Sequence, residues 1–191
     1  LLGDLKHRGV RVAVLTNSLA STDAVAVQAG YSPYRIPLLK NGVDLYEYQP
    51  LQREGSRFFS GSQSRARLHA KAYVIDRRTL VIGSLNFDPR SAHLNSELAL
   101  FIDSPVLAGA VAKLIDQSMS PSVSYHVQLA TPSDDARLRA LGAPVSGLLW
   151  TGEEETDAGP YLRTWSLDPE AGFVRNLLTG LFSLLPIDSQ L

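Results

Sequence analysis

The chain holds 191 residues, with 18 Lys plus Arg against 19 Asp plus Glu, so its formal charge is −1 with the four histidines neutral; 45% of residues are hydrophobic and 19% charged. That balance excludes an electrostatic sponge for nucleic acid, and the absence of cysteine excludes a disulfide framework, a thiol nucleophile and any zinc site built on thiolates. No stretch reads as a membrane span, since the richest, residues 177–187, is broken by Thr179, Gly180, Ser183 and Pro186.

Domains commonly run to about 150 residues, so one compact unit over residues 1–191 is expected. The chain starts at Leu1 rather than Met with no signal-peptide pattern, and reads as a piece of a longer polypeptide. Gly9 to Thr16 places Arg11 among short branched residues and predicts a buried strand that turns at Asn17-Ser18. Ser21, Thr22 and Asp23 are all N-caps for a helix over Ala24 to Ala29, and a second helical segment from Ser32 to Lys40 closes at Asn41-Gly42. Val43 to Tyr48 alternates and reads as the second strand, stopped by Pro50. Strand, helix, strand at this spacing predicts a right-handed parallel crossover.

From Leu51 to Arg67 the composition turns to Gly, Ser and Gln, with Arg53, Arg57, Arg65 and Arg67 around Phe58-Phe59. This is a basic loop, suited either to lipid phosphates at a membrane surface or to plain solvation. Leu68 to Ile75 and Leu80 to Leu85, joined by Asp76 to Thr79, predict a hairpin, and Glu97 to Ile102 a further strand. Ser104 caps a helix with Pro105 at its first position, and Val106, Leu107, Ala110, Val111, Leu114, Ile115 and Met119 supply its apolar face. Tyr125 to Leu129 and Val145 to Trp150 read as strands. Glu153-Glu154-Glu155 with Asp157 is an acidic hairpin or loop, and Phe173 to Leu185 a final amphipathic helix suited to core packing. There is no internal repeat.

The chemistry concentrates between Leu68 and Asn86. On a strand the side-chain period is two, so His69 and Lys71 aim an imidazole and an ammonium at one spot. Burying both unpaired costs a few kcal/mol each, and Ser84 and Asn86 on the partner strand supply a hydroxyl and an amide. Such a cluster suits an anion. Glu97 on the following strand is placed to accept a proton from one nitrogen of His69 and fix its tautomer. His7, His93 and His126 lack this context and read as exposed or locally satisfied, and Thr16-Asn17-Ser18, though it ends a strand where open sheets place ligand sites, reads as a turn.

His69-x-Lys71, four residues, Asp76, six residues, Gly83-Ser84-x-Asn86 resembles the HKD motif of the phospholipase D superfamily. The continuation from Asn86 to Glu97, the segment Leu15 to Ser18 and the end Leu184-Leu185-Pro186-Ile187 are similar to bacterial cardiolipin synthases and their relatives. The resemblance implies an α/β class, an α/β/α sandwich whose mixed, largely parallel sheet is flanked by helices. It also implies metal-free, cofactor-free phosphatidyl transfer through a phosphohistidine, in which a neutral histidine attacks phosphorus and a protonated one serves the leaving alcohol.

Members of the superfamily use two such motifs facing each other, and this chain carries one, at residues 69–86. The partner is then an N-terminal half of the same protein, which the sequence favours, or a second copy. Carried over residue by residue, His69 is the acid and base of a C-terminal half, Lys71 and Asn86 bind phosphate, Ser84 adds a hydrogen bond and Glu97 orients His69. Asp76 belongs to the motif but falls in the hairpin turn, where its role is structural. The implied substrate is a phospholipid, with peripheral contact at a bacterial cell membrane and no nucleic-acid partner. Two rivals stand beside this reading: a phospholipase D or nuclease-type hydrolase using water, and a half-domain inactive by itself.

Overall fold

The computed structural model describes residues 2–21, 30–50, 68–86 and 95–169. Along them run α1 (Leu2–His7), β1 (Ala13–Asn17), a 3-10 turn (Ser32–Tyr34) continuing into α2 (Arg35–Lys40), β2 (Asp44–Tyr48), β3 (Ala72–Ile75), β4 (Thr79–Gly83) and β5 (Ala99–Asp103). There follow α3 (Pro105–Ser118), β6 (Ser124–Leu129), α4 (Pro132–Ala140), β7 (Leu148–Thr156) and β8 (Gly159–Trp165). The helix expected over Ala24 to Ala29, the basic loop of Leu51 to Arg67, His93 and the terminal helix of Phe173 to Leu185 lie outside the described residues.

Five strands form one sheet in the order β1-β2-β6-β7-β8, and three form another in the order β3-β4-β5. β1 and β2 are parallel, from Ala13↔Asp44 to Asn17↔Tyr48, as the strand–helix–strand spacing predicts. The other pairs described are antiparallel. The mixed α/β class therefore stands, whereas the expected parallel majority does not. For two of these pairs the physical reason is connection length: β3–β4 and β7–β8 are joined by tight turns, and only a crossover of about a dozen residues or more returns a strand parallel.

The core sits on the larger sheet, where Leu45, Tyr125, Val127, Leu148 and Trp150 cluster and Val14, Ile36, Leu39 and Trp165 pack against them. Leu45 and Glu47, two apart on β2, share the buried face, so a carboxylate is fully enclosed. It is satisfied by four donors: Arg35 Nε at 2.7 Å, Arg35 Nη2 at 3.1 Å, the Tyr31 hydroxyl at 3.0 Å and Trp150 Nε1 at 3.0 Å. The far side of the guanidinium is bound by Asp168 at 2.6 and 3.0 Å. Burial pushes the Glu47 carboxyl up from its ordinary value and Arg35 opposes that. Burial alone would lower Arg35, yet Glu47 and Asp168 raise it and hold it charged. Removing one partner of such a pair costs about 3–5 kcal/mol, because the other charge is left buried.

Ser104 caps α3 as expected, its Oγ accepting from the Leu107 amide at 3.3 Å, with Pro105 next. The packed face differs from the expected one. Ala108 and Ala112 are buried, while Val106 is 81% exposed and Leu107 also faces outward. α3 lies against β3 and β4, and its buried residues, Ala108, Ala112 and Ser118, are all small. Two further elements escape the sequence pattern. α4 has no apolar stripe and is defined by a capping box between Thr131 and Asp134, and β8 extends the acidic hairpin as a largely exposed strand.

Gly83 pairs with Ala99, and a Cβ there would collide with the Leu98 carbonyl and come within 2.9 Å of Ala99 Cα. Gly83→Ala is therefore expected to lower stability by about 1–3 kcal/mol, the usual cost of overpacking, in denaturant unfolding. His126 pairs with Tyr46 across β2 and β6, their rings stacked at 4.8 Å, and burial lowers its pKa. The unfolded chain then binds this proton first, so the contribution is present above the ordinary histidine value of about 6.5 and is lost as pH falls through the lower native value. Thermal midpoints should drop more between about pH 7.5 and 5 in the parent than in His126→Phe, which keeps a stacked ring.

Candidate active site

The β3–β4 hairpin carries the motif, and its turn is tighter than expected, spanning Asp76 to Arg78. Asp76 and Arg77 have φ of 52° and 51°, and the Arg78 amide donates to the Ile75 carbonyl at 3.0 Å. Asp tolerates this left-handed backbone better than most side chains. The turn thus places Asp76 at the end of the hairpin away from His69, separated from it by the length of β3.

His69 and Lys71 lie just ahead of β3 rather than within it, since the strand begins at Ala72. The segment is held from two sides. The Gly83 amide donates to the Lys71 carbonyl at 3.2 Å, prolonging the ladder of β3 with β4. On the other side the Asn17 amide, at the end of β1, binds the Leu68 main chain twice, donating to its carbonyl at 2.8 Å and accepting from its N–H at 2.9 Å. Held in this way, the two side chains converge as the alternation predicts: Lys71 Nζ stands 3.1 Å from His69 Nε2.

An ammonium has donors and no lone pair, so Lys71 donates in this contact only to the His69 tautomer whose Nε2 lone pair is free. His69 is exposed and Lys71 half-buried, so solvent and solute reach the pair. Gly83 lies beside Lys71 and opposite Ala99, which leaves the middle of the three-stranded sheet without a side chain there.

The strand ends supply the remaining groups. The Ser84 hydroxyl donates to Glu97 Oε2 at 2.5 Å and accepts from the Leu98 amide at 3.0 Å, while the Ser84 amide donates to the Leu98 carbonyl at 2.9 Å. Asn95 Nδ2 adds a contact to Glu97 Oε1 at 3.3 Å. Asn86 follows on an exposed stretch, and the Tyr73 hydroxyl donates to the Leu85 carbonyl beside it at 2.9 Å. His69 and Lys71 are brought together, as are Ser84 and Glu97. Among the described hydrogen bonds His69 meets Lys71 rather than the expected Glu97.

Two residues join the picture that sequence reasoning placed elsewhere or left out. Asn17, read as part of a turn, reaches the site's main chain, and its position at the C-terminal end of a parallel strand was the signal. Tyr73, read only as a strand residue, holds the approach to Asn86. Among the described residues no helix is long and apolar enough to cross a membrane.

Comparison with known proteins adds to this geometry. A family model described as "Cardiolipin synthase, PLD-like domain" matches residues 1–119. The chain is 47% identical to cardiolipin synthase C of Escherichia coli (strain K12) over 116 residues, 59% of this chain and 24% of that protein. It is 39% identical over 106 residues to an uncharacterized protein of Helicobacter pylori (strain ATCC 700392 / 26695), covering 54% of this chain and 20% of that one. Cardiolipin synthase A of Pseudomonas aeruginosa (strain LESB58) is 30% identical over 145 residues, 74% of this chain and 25% of that protein. The chain thus spans about a quarter or less of the length of these relatives. No solved structure matches. With a match running over more than half its length and through every residue from His69 to Glu97, the chain belongs to the cardiolipin synthase, PLD-like domain family.

Proposed function

We propose that this chain supplies one half-site of a metal-independent, cardiolipin synthase-like phosphatidyltransferase. The observation that carries the reading is the 3.1 Å approach of Lys71 Nζ to His69 Nε2 at the open end of the hairpin. A phosphodiester entering there offers anionic oxygens to the ammonium, which exchanges its contact with the imidazole for a charge-assisted hydrogen bond to phosphate. Nε2, released from the ammonium, takes up a proton from solvent, and the imidazolium so formed faces the leaving oxygen. Asn86 donates to a phosphoryl oxygen, and Ser84, anchored on Glu97, holds the end of β4 that leads to Asn86.

The transfer needs a second histidine from another HKD motif, on an N-terminal half of the same protein or on a second copy. That histidine attacks phosphorus, a P–N bond forms, and the P–O bond to the leaving alcohol breaks as His69, protonated, gives that oxygen its proton. In the return step an acceptor hydroxyl loses its proton to His69 and attacks phosphorus, and the P–N bond breaks. Lys71 and Asn86 balance the charge gathering on the phosphoryl oxygens in both transition states. Glu97 is assigned to orientation of the imidazole, acting through the Ser84 end of the hairpin. Phosphatidylglycerol fits as donor and, through its free hydroxyl, as acceptor. Contact with a bacterial membrane is peripheral.

The intact protein that carries this chain should convert labelled phosphatidylglycerol to cardiolipin, and His69→Ala should reduce that output by at least about a hundredfold, the low end of acid–base contributions. Undiminished output would remove His69 from the mechanism, and release of phosphatidic acid alone would assign a hydrolase instead. Asp76→Asn, which keeps a side chain tolerant of positive φ, should leave activity within about twofold, whereas Asp76→Val should lower the thermal midpoint through strain of about 1–3 kcal/mol at the turn.

A further inference from the structure

We infer that Asn17 is a positioning residue for His69, acting through the main chain of Leu68; the inference rests on the reading of His69 as the acid and base. The backbone of Asn17 is pinned in the larger sheet, where it pairs with Tyr48, and the next amide, of Ser18, donates to the Tyr48 carbonyl at 3.3 Å. Its side chain therefore projects from a fixed base. One carboxamide presents a donor and an acceptor about as far apart as those of a peptide group, and here both are spent on Leu68, at 2.8 and 2.9 Å.

The Leu68 N–H belongs to the peptide plane before that residue and its carbonyl to the plane after it. Since each plane is rigid, binding both fixes φ and ψ of Leu68, as a hydrogen-bonded partner residue on a neighbouring strand would. The second plane also contains the nitrogen of His69, so the imidazole starts from a fixed peptide. Two residues on, the Lys71 carbonyl is held by Gly83. His69 is thus suspended between an anchor on the five-stranded sheet and one on the three-stranded sheet.

The residue type is specific. Asp retains an acceptor for the Leu68 N–H but sets a carboxylate oxygen against the Leu68 carbonyl. Ser cannot span both groups, and Gln overshoots by a methylene. Such a displacement of a reacting group by about 1 Å commonly costs about a hundredfold in rate with little loss of ground-state binding.

The test compares Asn17→Asp with the parent in the intact protein, measuring turnover of phosphatidylglycerol, thermal midpoint and amide hydrogen exchange over residues 67–71. Expected are a kcat about a hundredfold lower, KM within about twofold, a midpoint within a few degrees, and faster exchange across 67–71. A kcat near the parent's despite accelerated exchange would overturn the inference, as would a loss of kcat matched by an equal loss of folded protein. Should the aspartate variant fail to fold, Asn17→Ser is read by the same criteria. If His69→Ala keeps full turnover, the acid–base reading fails on its own account. Exchange across 67–71, which requires no turnover, separately decides whether Asn17 holds the segment, and exchange unchanged from the parent overturns that.

Discussion

A carboxylate enclosed in the core is the constraint from which the positions of the chemical groups follow. Glu47 is fully buried on β2 and takes hydrogen bonds from Arg35, Tyr31 and Trp150, so α2, β2 and β7 are drawn to one point, and Asp168 closes the far side of Arg35 from beyond β8. A charge that deep tolerates little slack, because each donor withdrawn leaves a buried oxygen one hydrogen bond short. Thr16 pairs with Glu47 in the parallel ladder, and Asn17 pairs with the next residue, Tyr48. The rigidity set around Glu47 thereby reaches the end of β1, and from there it passes through the Asn17 amide to Leu68 and the segment bearing His69 and Lys71.

The three-stranded sheet answers a different demand. On the proposed function a phosphodiester reaches its two polar groups, and they are held without being enclosed, His69 exposed and Lys71 half-buried. Main-chain hydrogen bonds at Leu68, Lys71, Ser84 and Leu98 hold the framework and leave the His69 imidazole and Lys71 ammonium paired with each other near solvent. Such a pair is a suitable resting state for anion chemistry. The ammonium already has a partner that a phosphate oxygen outcompetes on charge. Membership of the cardiolipin synthase, PLD-like domain family agrees with an arrangement built from these residues at these spacings.

Much of the fold was legible because it is locally encoded. The Ser104-Pro105 cap, the hairpin of Leu68 to Leu85 and the parallel pairing of the first two strands follow from neighbouring residues, and all are present. Where the reading went astray, the deciding contacts are distant in sequence. The face that α3 packs depends on how closely it approaches β4, which favours Ala108 and Ala112 over the larger Val106 and Leu107. Part of the antiparallel majority comes from β6 pairing back onto β2 and β7 onto β6, beyond what local alternation specifies. Glu47, an ordinary polar position in the strand pattern, is buried because Arg35 from the preceding helix and Trp150, 103 positions along the chain, meet it.

For the site the division is equally clear. Which residues are proposed to carry the chemistry was read from spacing alone: a period of two directs His69 and Lys71 to one side, and the fixed intervals to Asp76, Ser84 and Asn86 match the motif. What holds them was decided only in three dimensions, because the bond between Asn17 and Leu68 spans 51 positions and the bond between Ser84 and Glu97 spans 13. Chain composition specifies a side chain's chemistry and its local direction, but a hydrogen bond between remote segments exists only once the sheets have brought them within 3 Å or so of each other.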